Sequence, residues 1–537
     1  MKNEKNEMIL KYGKWKWAAA GFLPLLLLDI WHYQNVWAGA IETGDRFMLT
    51  WYMVLSAAGL LAAFAAGYFF LVKGRLSVEN FFLGGGLALG LLFLFVLQPL
   101  SAPDEIRHFI SAYRISNQMM GLPDTNESGQ VYIREQDRFI VDLYPDGEEE
   151  EPVILGQFLC QDTYHAAYER GLSGTGGDQL VSSGQIAVQT TPLAYVFSAM
   201  GITLARILGL GGMGLLYLGR LFNLAMFLGA VWLALKRLPF GKTVMCGAAL
   251  LPMSLHLAAS FSYDAMINAL VFWFSAVCLD LAYSQRNVRA RDIALLAALI
   301  AVVGPCKMVY APVMGLCLLI PVKKFGGWRN WAVSAAVVFG AWLAAMIIVN
   351  THTIAVYTGG TENYIGWAEE TGYTMSELLH RPGLVIQMFY NSFIWQAEYY
   401  HLTMIGAYLG QVDQVLDVPY LIVMGMTAAL FLLALKKPGD ETVYFTGKQR
   451  VWIWFLAAAA GGAAMFSMLV AWTPVTSLVI NGVQGRYFIP FLPVVLMTVK
   501  NGWIVCKTNR DREILYLLLC ADIFAVLRLF SIVSMRI

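Results

Sequence analysis

Long apolar stretches, each about the length of a membrane-spanning helix, recur along the whole chain. A helix that crosses the hydrocarbon core of a bilayer needs roughly 20 apolar residues. Of the 537 residues, 58% are hydrophobic and 14% are charged, whereas soluble domains carry about 25% charged residues. The pattern predicts an all-α bundle of transmembrane helices with about 11 full spans. We place these spans at 17–37, 47–72, 80–100, 213–235, 243–262, 265–284, 329–350, 417–435, 451–472, 487–504 and 513–534.

Basic residues collect at one end of these stretches. Because Lys and Arg concentrate on the cytoplasmic side of membrane proteins, their placement predicts a cytoplasmic N-terminus and an extracytoplasmic C-terminus. No small-residue cleavage site follows the first stretch, which favours an uncleaved first helix over a signal peptide. The basic clusters lie at 2–16, 73–75, 236–242, 286–291, 323–324, 436–450 and 507–512.

Two apolar segments do not fit as full spans. Ile293–Cys306 and Met308–Pro321 are each short and are joined at Lys307, so we predict a helical hairpin whose tip lies in or near the outer leaflet. Thr190–Leu210 is long enough to cross, but a crossing there would place the basic segment 236–242 outside. We therefore predict an interfacial or re-entrant helix on the outer face.

The segment 101–189 is the largest piece outside the apolar stretches, and it is acidic. It contains 15 Asp or Glu and 5 Arg, with no Lys, and the alternation of spans places it outside the cell. Apolar residues at helical spacing, from Ile106 to Tyr113, predict an amphipathic helix that lies on the membrane. The run Asp146–Glu151 is typical of a solvated loop.

Asp104 and Glu105 follow the third span directly, with His108 one turn later. Carboxylates are favoured in the first turn of a helix, so capping alone explains both of them. At the boundary of lipid and water, a carboxylate could also deprotonate a hydroxyl or hold a metal ion. The residues alone leave both interpretations open.

Three cations lie at the outer ends of separate apolar segments: Arg220, Lys307 and Arg486. Ionisable groups at membrane depth are costly, which suggests a function. If they converge, they suit an anionic lipid phosphate. The alternative is that each side chain extends along the apolar surface until its charge reaches water.

Other ionisable residues in or beside apolar stretches receive no chemical role. Asp264 is well placed to cap the helix that follows it, and His256 is typical of a core residue whose polar atoms are satisfied. Asp522 and Arg528 are six residues apart and lie on different faces of one helix, so they should not pair. Asp29 and Asp280 complete this group.

Several classes of function lack their signatures. No phosphate-binding loop of the form G-x-x-x-x-G-K-[ST] occurs, so nothing indicates a nucleotide-driven pump. The seven cysteines fit no zinc pattern, and no basic stripe suggests a nucleic acid as partner.

Six strings, in order along roughly residues 80–505, resemble a bacterial membrane protein family catalogued as domain of unknown function 2142. They are APDEIRHFISAYRIS, TTPLAYVFSAMGITLARILGL with YLGRLFNL, LPMSLHLAASFSYDAMINAL, CKMVYAP, MIGAYLGQVDQVLDVPY and GVQGRYFIPFLP. The family is similar to the GT-C superfamily of integral membrane glycosyltransferases. That similarity implies a GT-C-like bundle with a carboxylate motif in the first large outer loop.

The resemblance divides the chain into two regions. Residues 1–79 form a cytoplasmic tail and two transmembrane helices that precede the usual first span. Residues 80–537 form the GT-C-like domain, and residues 101–212 within it form the large extracytoplasmic loop with its juxtamembrane helices. The pair Asp104–Glu105 resembles the Asp–Glu pair of the protein O-mannosyltransferase branch.

The resemblance implies a glycosyltransferase of the bacterial plasma membrane. A polyprenyl-phosphate-linked sugar would be the donor, and a glycan or another cell-envelope component would be the acceptor. Asp104 is then the expected base, Glu105 its supporting partner and His108 a secondary candidate. Arg486, Lys307 and Arg220 are the expected phosphate contacts. No cofactor is required, although Asp104 and Glu105 could hold a divalent Mg or Mn ion.

Two other functions remain open at this stage. A transporter or flippase of a lipid-linked glycan would need polar groups that continue to the cytoplasmic side, whereas the intramembrane charges lie mainly at the outer ends. A non-catalytic membrane scaffold would tolerate the loss of both Asp104 and Glu105.

Overall fold

The structure is a computed structural model that describes residues 2–44, 46–143, 154–173, 177–188, 190–358, 363–412, 416–439 and 445–536. The acidic run Asp146–Glu151 lies outside the described residues. Its interpretation as a solvated loop therefore stays a prediction.

Helices make up most of the described chain, because a helix satisfies its own backbone hydrogen bonds in an apolar environment. In chain order they are α1 Lys2–Thr43, α2 Phe47–Ala66, α3 Val78–Val96, α4 Glu105–Met119, α5 Gln161–Ser173, α6 Val196–Ile207, α7 Gly212–Arg237, α8 Lys242–Ala249, α9 Pro252–Ala258, α10 Asp264–Tyr283, α11 Ala290–Cys306, α12 Trp328–Thr358, α13 Met375–His380, α14 Pro382–Ile405, α15 Tyr420–Ala434, α16 Gly447–Ala471, α17 Leu492–Met497 and α18 Asp511–Val533.

Shorter elements connect these helices. A π-helical turn, Gly67–Val72, continues α2. The 3₁₀ helices are Glu135–Ile140, Pro192–Tyr195, Met308–Leu319, Val322–Phe325 and Gly485–Phe491. The strands are β1 Gln130–Arg134, β2 Leu180–Ile186, β3 Tyr364–Ile365 and β4 Glu370–Thr371.

The structure confirms a helical bundle with several membrane-length helices. Among the described residues, seven helical stretches are long and apolar enough to cross a membrane, and each matches a predicted span to within a few residues. The predicted count of eleven full spans is not confirmed. The seven stretches are Phe47–Val72, Val78–Val96, Gly212–Arg237, Asp264–Tyr283, Trp328–Thr351, Gly447–Ala471 and Asp511–Val533.

The other four predicted spans have shapes that apolar content does not reveal. The span 17–37 is the middle of the 42-residue α1. The span 243–262 is broken into α8 and α9, and Pro252, which has no backbone N–H to donate, begins the second helix. The span 417–435 is the 15-residue α15. The span 487–504 starts as a 3₁₀ helix and continues only as far as the end of α17.

The predicted hairpin with Lys307 at its tip is confirmed. α11 rises roughly 26 Å at 1.5 Å per residue, and the 3₁₀ helix Met308–Leu319 returns roughly 24 Å at 2.0 Å per residue. The two arms therefore match in length. The Val288 amide donates to the Lys324 carbonyl at 3.0 Å and closes the base of the hairpin.

The large outer segment contains a two-stranded sheet, which corrects the all-α prediction. β1 and β2 pair antiparallel with Tyr132 opposite Ser182. The amphipathic helix is present as α4, but Phe109 and Ile110 are buried where α4 packs on α6 and the sheet. α4 is therefore embedded in protein rather than lying on the membrane. α6 has 12 residues, too few to cross, in agreement with the prediction for Thr190–Leu210.

α14, between α13 and α15, is a 24-residue helix that the sequence pattern did not predict. Its buried side chains Met388 and Tyr400 form a small second core with Leu469 near the outer end of α16. Its opposite face exposes large apolar residues such as Ile386 and Trp395. A helix with one packed and one exposed apolar face suits the outer lipid leaflet.

Helix ends that the sequence places on one side of the membrane do contact each other. Lys437 pairs with Asp511 at 2.6 Å, and Arg450 donates to the Lys500 carbonyl at 2.7 Å. Within the bundle, α7 packs against α3, α6 and α10, while α18 packs against α1, α2 and α3. The compartment that the basic end faces stays a prediction.

The ionisable residues without an assigned role behave mostly as expected. Asp522 and Arg528 do not pair, as predicted; Arg528 contacts Asp417 instead, at 3.2 Å. Asp29 accepts a hydrogen bond from the Tyr52 hydroxyl at 2.7 Å. These contacts join helices of the bundle to each other or to an outer loop.

Candidate functional site

The loop between α3 and α4 places Asp104 in contact with water. Leu100 and Asp104 both adopt left-handed backbone conformations, with φ of 70° and 60°, which Asp tolerates better than most residues. Asp104 occupies the N-cap position of α4, but its side chain makes no capping hydrogen bond. The carboxylate is instead 63% exposed. Capping therefore does not explain this side chain.

Glu105 faces the opposite way and is completely buried. Its carboxylate accepts hydrogen bonds from the backbone amides of Ala102 and Phe261, both at 2.9 Å. It also forms an ion pair with Arg220, with 3.3 Å between Oε1 and Nε. This one carboxylate ties the start of α4 to α7 and to the connection between α9 and α10.

Arg220 is also completely buried, and its partners are all structural. Besides Glu105, its Nη1 donates to the carbonyls of Leu94 and Leu97, at 3.1 and 2.8 Å. Those carbonyls lie at the end of α3, where the helix leaves them without intrahelical partners. The structure thus separates Glu105 and Arg220 from the water-facing site, and we assign both a structural role.

The hairpin tip that carries Lys307 is held in place through the backbone carbonyl of Pro305, two residues before Lys307. The Pro305 carbonyl accepts hydrogen bonds from Thr190 Oγ1 at 3.1 Å and from Asn350 Nδ2 at 3.3 Å. The tip is therefore docked on the segment before α6 and on α12. From there, Lys307 Nζ extends to within 4.3 Å of the centre of the Tyr487 ring.

Arg486 is placed by the glycine that precedes it. A Cβ at Gly485 would lie 1.8 Å from the Tyr400 carbonyl oxygen, so only glycine allows the chain to approach α14 this closely. The Gly485 amide donates to Thr403 Oγ1 at 2.7 Å. On the other side of Arg486, the Tyr310 hydroxyl donates to the Tyr487 carbonyl at 3.0 Å. Arg486 therefore leaves a rigid backbone.

Asp264 joins the two cations. Its Oδ1 lies 3.0 Å from Lys307 Nζ, and its Oδ2 lies 3.6 Å from Arg486 Nε. The carboxylate makes no capping hydrogen bond, because Tyr263 occupies the N-cap position of α10. The expectation that Asp264 caps its helix is therefore wrong, and its carboxylate balances the charge of two cations from distant parts of the chain.

Arg486 also reaches Asp104, with 3.2 Å between Nη2 and Oδ2. The structure thus brings together four of the six predicted site residues, Asp104, His108, Lys307 and Arg486, and adds Asp264. We call these five residues the outer ion cluster, because the distribution of Lys and Arg in the sequence predicts that this end of the bundle faces outward. It lies where α4, α10, the hairpin tip and the 3₁₀ helix Gly485–Phe491 meet.

His108 is the neutral member of the outer ion cluster. Its Nδ1 lies 2.8 Å from the Tyr195 hydroxyl, and its ring makes an edge-on contact with Tyr263. Burial lowers the pKa of His108 well below its usual range, although Asp264 and Asp104 act in the opposite direction. The imidazole is therefore neutral at pH 7.

An apolar groove of about 410 Å³ opens beside the cluster. One wall is aromatic, with Phe389 and Phe393 from α14 and Tyr487 from the 3₁₀ helix. The opposite wall on α16 consists of small residues such as Ala458 and Gly461. Tyr487 lines the groove, and its ring also contacts Lys307 Nζ, so this one ring separates the groove from the cations.

The residues present do not fit a metal ion held jointly by Asp104 and Glu105. Glu105 is sealed in protein and its oxygens are engaged by two amides and Arg220. Within the described part of the chain, no three His, Cys, Asp or Glu side chains converge as ligands would. We derive no step that passes through a metal at this pair.

Sequence reasoning missed the partner role of Asp264 and the aromatic rings around it. Tyr263 directly precedes Asp264 and Tyr487 directly follows Arg486. A tyrosine next to a charged residue in an apolar segment is therefore the sequence feature that could have identified both residues as members of the site. The groove had no such signal, because its aromatic wall belongs to α14, which the apolar pattern did not predict.

The chain matches a known family of membrane proteins over most of its length. A family model described as a predicted membrane protein, DUF2142, matches residues 87–495. All five members of the outer ion cluster lie within the matched residues, and α1, α2 and α18 lie outside them. No curated protein and no solved structure matches this chain.

The first prediction separates the structural role of Glu105 from a chemical one. Glu105→Gln leaves the buried Arg220 guanidinium without its counter-charge, and breaking a buried ion pair costs about 3–5 kcal/mol. We expect the variant to unfold at a clearly lower temperature in detergent or nanodiscs.

Adding Arg220→Met to Glu105→Gln should restore part of the lost stability, because paired residues do not contribute additively. Wild-type thermal stability of Glu105→Gln would contradict the assignment and return Glu105 to the list of chemical candidates.

Proposed function

We propose that this chain, which belongs to the DUF2142 family of predicted membrane proteins, is a membrane glycosyltransferase that uses a polyprenyl-phosphate sugar. The acceptor is a glycan or another component of the cell envelope, and the site faces the outside of a bacterial plasma membrane. The observation that best supports this proposal is that Arg486 and Lys307 meet beside an exposed carboxylate, next to an apolar groove with which they share Tyr487.

The groove suits a polyprenyl chain and the cations suit its phosphate. An apolar volume of about 410 Å³ with one aromatic wall can take several isoprene units out of contact with water. Lys307 and Arg486 lie where the phosphate of such a lipid would emerge, and Arg recognises phosphate through paired N–H groups. Two of the Arg486 nitrogens, Nε and Nη1, have no hydrogen-bond partner in the described structure.

Asp104 is positioned to act as the base. In the proposed step, an acceptor hydroxyl oxygen attacks the anomeric carbon and forms the new glycosidic bond. The bond from that carbon to the phosphate oxygen breaks, and the phosphate leaves with the electron pair. The proton of the hydroxyl moves to Asp104, while Lys307 and Arg486 stabilise the departing phosphate.

The other residues of the outer ion cluster position these groups. Asp264 holds Lys307 and Arg486 in place and offsets the repulsion between these two cations. His108 is neutral and offers hydrogen bonding without adding charge. Glu105 and Arg220 anchor the loop that presents Asp104.

A transporter of a lipid-linked glycan is the second candidate, and one observation favours it. The break between α8 and α9 leaves helix ends inside the bundle, as in many transporters. Against it, the basic ends of α7, α10 and α11 are closed by an ion network. In this network Arg237 and Arg286 each contact Asp280 and Asp292 at 2.5–2.8 Å.

Asp104→Asn tests the proposed chemistry directly. The substitution keeps the size of the side chain but removes the base, which should lower the transfer rate by roughly 10²–10⁴-fold, or about 3–5 kcal/mol of barrier. The assay follows radiolabelled sugar from a panel of polyprenyl-phosphate sugars in the presence of envelope acceptors.

Asp124→Asn is the matched control, since Asp124 also pairs with an outer-face arginine, Arg114, at 3.0 Å, but lies outside the cluster. It should transfer sugar at the wild-type rate. Normal transfer by well-expressed Asp104→Asn protein would rule out the mechanism and favour the transporter.

Arg486→Ala tests the phosphate contact. We expect a higher half-saturation concentration for the lipid donor, because the variant loses the guanidinium next to the groove. Arg486→Lys should recover the affinity only in part, since Lys keeps the charge but not the paired N–H groups. Arg381→Ala, at an exposed arginine of the outer segment, should bind donor as wild type does. Unchanged binding by Arg486→Ala would remove this contact from the proposal.

Filling the groove tests the lipid part of the donor separately. Ala458 lines the groove on the side opposite the aromatic wall, and Ala458→Phe would occupy the space of an isoprene unit. We expect weaker binding of undecaprenyl phosphate and little change for geranyl phosphate, measured side by side in nanodiscs. Equal effects on both lipids would mean that the chain does not lie in this groove.

A further inference from the structure

Arg486 lies between two carboxylates, the exposed Asp104 and the buried Asp264. Its side chain is only 3% exposed, and its Nη2 contacts Asp104 at 3.2 Å. Its Nε and Nη1 make no hydrogen bond within the described residues, although Asp264 lies 3.6 Å from Nε. Of the two anionic partners of this guanidinium, Asp104 is the one that faces water and Asp264 is the one that is buried.

We propose that Asp104 is a placeholder for the donor phosphate, and that a phosphate arriving at Arg486 releases Asp104 to act as the base. The inference rests on the proposed function, since it concerns the order of events at that same site. It adds a coupling that neither the sequence nor the family match suggests: the base becomes free only when the donor is bound.

Charge balance supports an exchange rather than a simple addition. The outer ion cluster contains two cations, Lys307 and Arg486, and two anions, Asp104 and Asp264, while His108 is neutral. A sugar-linked phosphodiester brings one further negative charge into a partly buried site, where unbalanced charge is costly. Release of one carboxylate towards water restores the balance.

Asp104 is the carboxylate that can leave. Asp264 is buried and accepts a hydrogen bond from Lys307 at 3.0 Å. Its release would leave Lys307 and Arg486 without the carboxylate that lies between them, and the two cations would repel each other. Asp104 is 63% exposed and reaches the cluster through a single contact with Arg486. Because the Asp104 carboxylate keeps most of its contact with water, its release from Arg486 costs less than the release of a buried carboxylate, and a phosphate can take its place.

The exchange has a chemical consequence for the acceptor. While Asp104 is held by Arg486, one of its oxygens is directed at the guanidinium and away from an incoming hydroxyl. After release, both oxygens are available, and they lie beside the donor that has just bound. Donor binding therefore precedes activation of the acceptor. In this order, Asp104 deprotonates the acceptor hydroxyl only when a donor sugar is bound.

Carboxyl footprinting of the full-length protein in nanodiscs tests the exchange. Carboxylates are labelled with a carbodiimide and glycine ethyl ester, with and without undecaprenyl phosphate, and labelling is quantified by mass spectrometry of the peptides. We expect the labelling of Asp104 to rise severalfold when the lipid phosphate is bound. Asp124, which is paired with Arg114 outside the cluster, is the internal control and should not change.

An arginine variant provides the complementary measurement. In Arg486→Ala protein, Asp104 should be labelled at the high level even without lipid phosphate, because its partner is gone. Native mass spectrometry of the same samples reports how much undecaprenyl phosphate is bound.

Three outcomes would overturn the inference. Unchanged labelling of Asp104 in lipid-bound wild-type protein would mean that the ion pair persists. Reduced labelling would mean that the lipid covers Asp104 instead of releasing it. Absence of lipid-phosphate binding would reject the proposed function together with this inference, whereas the first two outcomes leave the proposed function standing.

Discussion

A buried arginine, Arg486, and a half-buried lysine, Lys307, impose the main physical constraint on this protein. Lys307 and Arg486 cannot stay charged in a low-dielectric environment unless anions balance them. Asp264 supplies that balance from α10, and the partner contact with Asp104 comes from the loop after α3. Four distant parts of the chain must therefore meet at one point. The hairpin, the loop after α3, the start of α10 and the 3₁₀ helix Gly485–Phe491 are arranged around it.

The backbone at this meeting point departs from regular α-helix in a consistent way. Lys307 immediately precedes one 3₁₀ helix and Arg486 lies in another. A 3₁₀ helix rises about 2.0 Å per residue against 1.5 Å for an α-helix, so a short segment can run from the outer cluster toward the opposite end of the bundle. These two segments also carry little side-chain bulk on one side, because Gly485 lies against α14 and Gly315 lies against Leu456 of α16.

The sequence predicted much of this architecture and only part of its site. Apolar length identified seven membrane-length helices, and the short arms on either side of Lys307 identified the hairpin. It did not reveal the break at Pro252 or the helix α14, because apolar length does not report where a span is interrupted, and α14 mixes aromatic with polar residues. The energetic cost of placing a charge in an apolar segment drew attention to Lys307 and Arg486. The same argument could not distinguish them from Arg220, whose partners are Glu105 and two backbone carbonyls.

The contrast between Asp104 and Glu105 shows why adjacent, chemically similar residues take different parts. A left-handed conformation at Asp104 turns its side chain to water, and the first helical residue, Glu105, then points into the bundle. There Glu105 accepts hydrogen bonds from two backbone amides and pairs with Arg220. The buried carboxylate fixes the loop, and the fixed loop holds the exposed carboxylate at the edge of the cation pair. The two adjacent acids are thus one buried anchor, Glu105, and one exposed carboxylate, Asp104, which we propose as the base, and the position of Asp104 depends on the anchor.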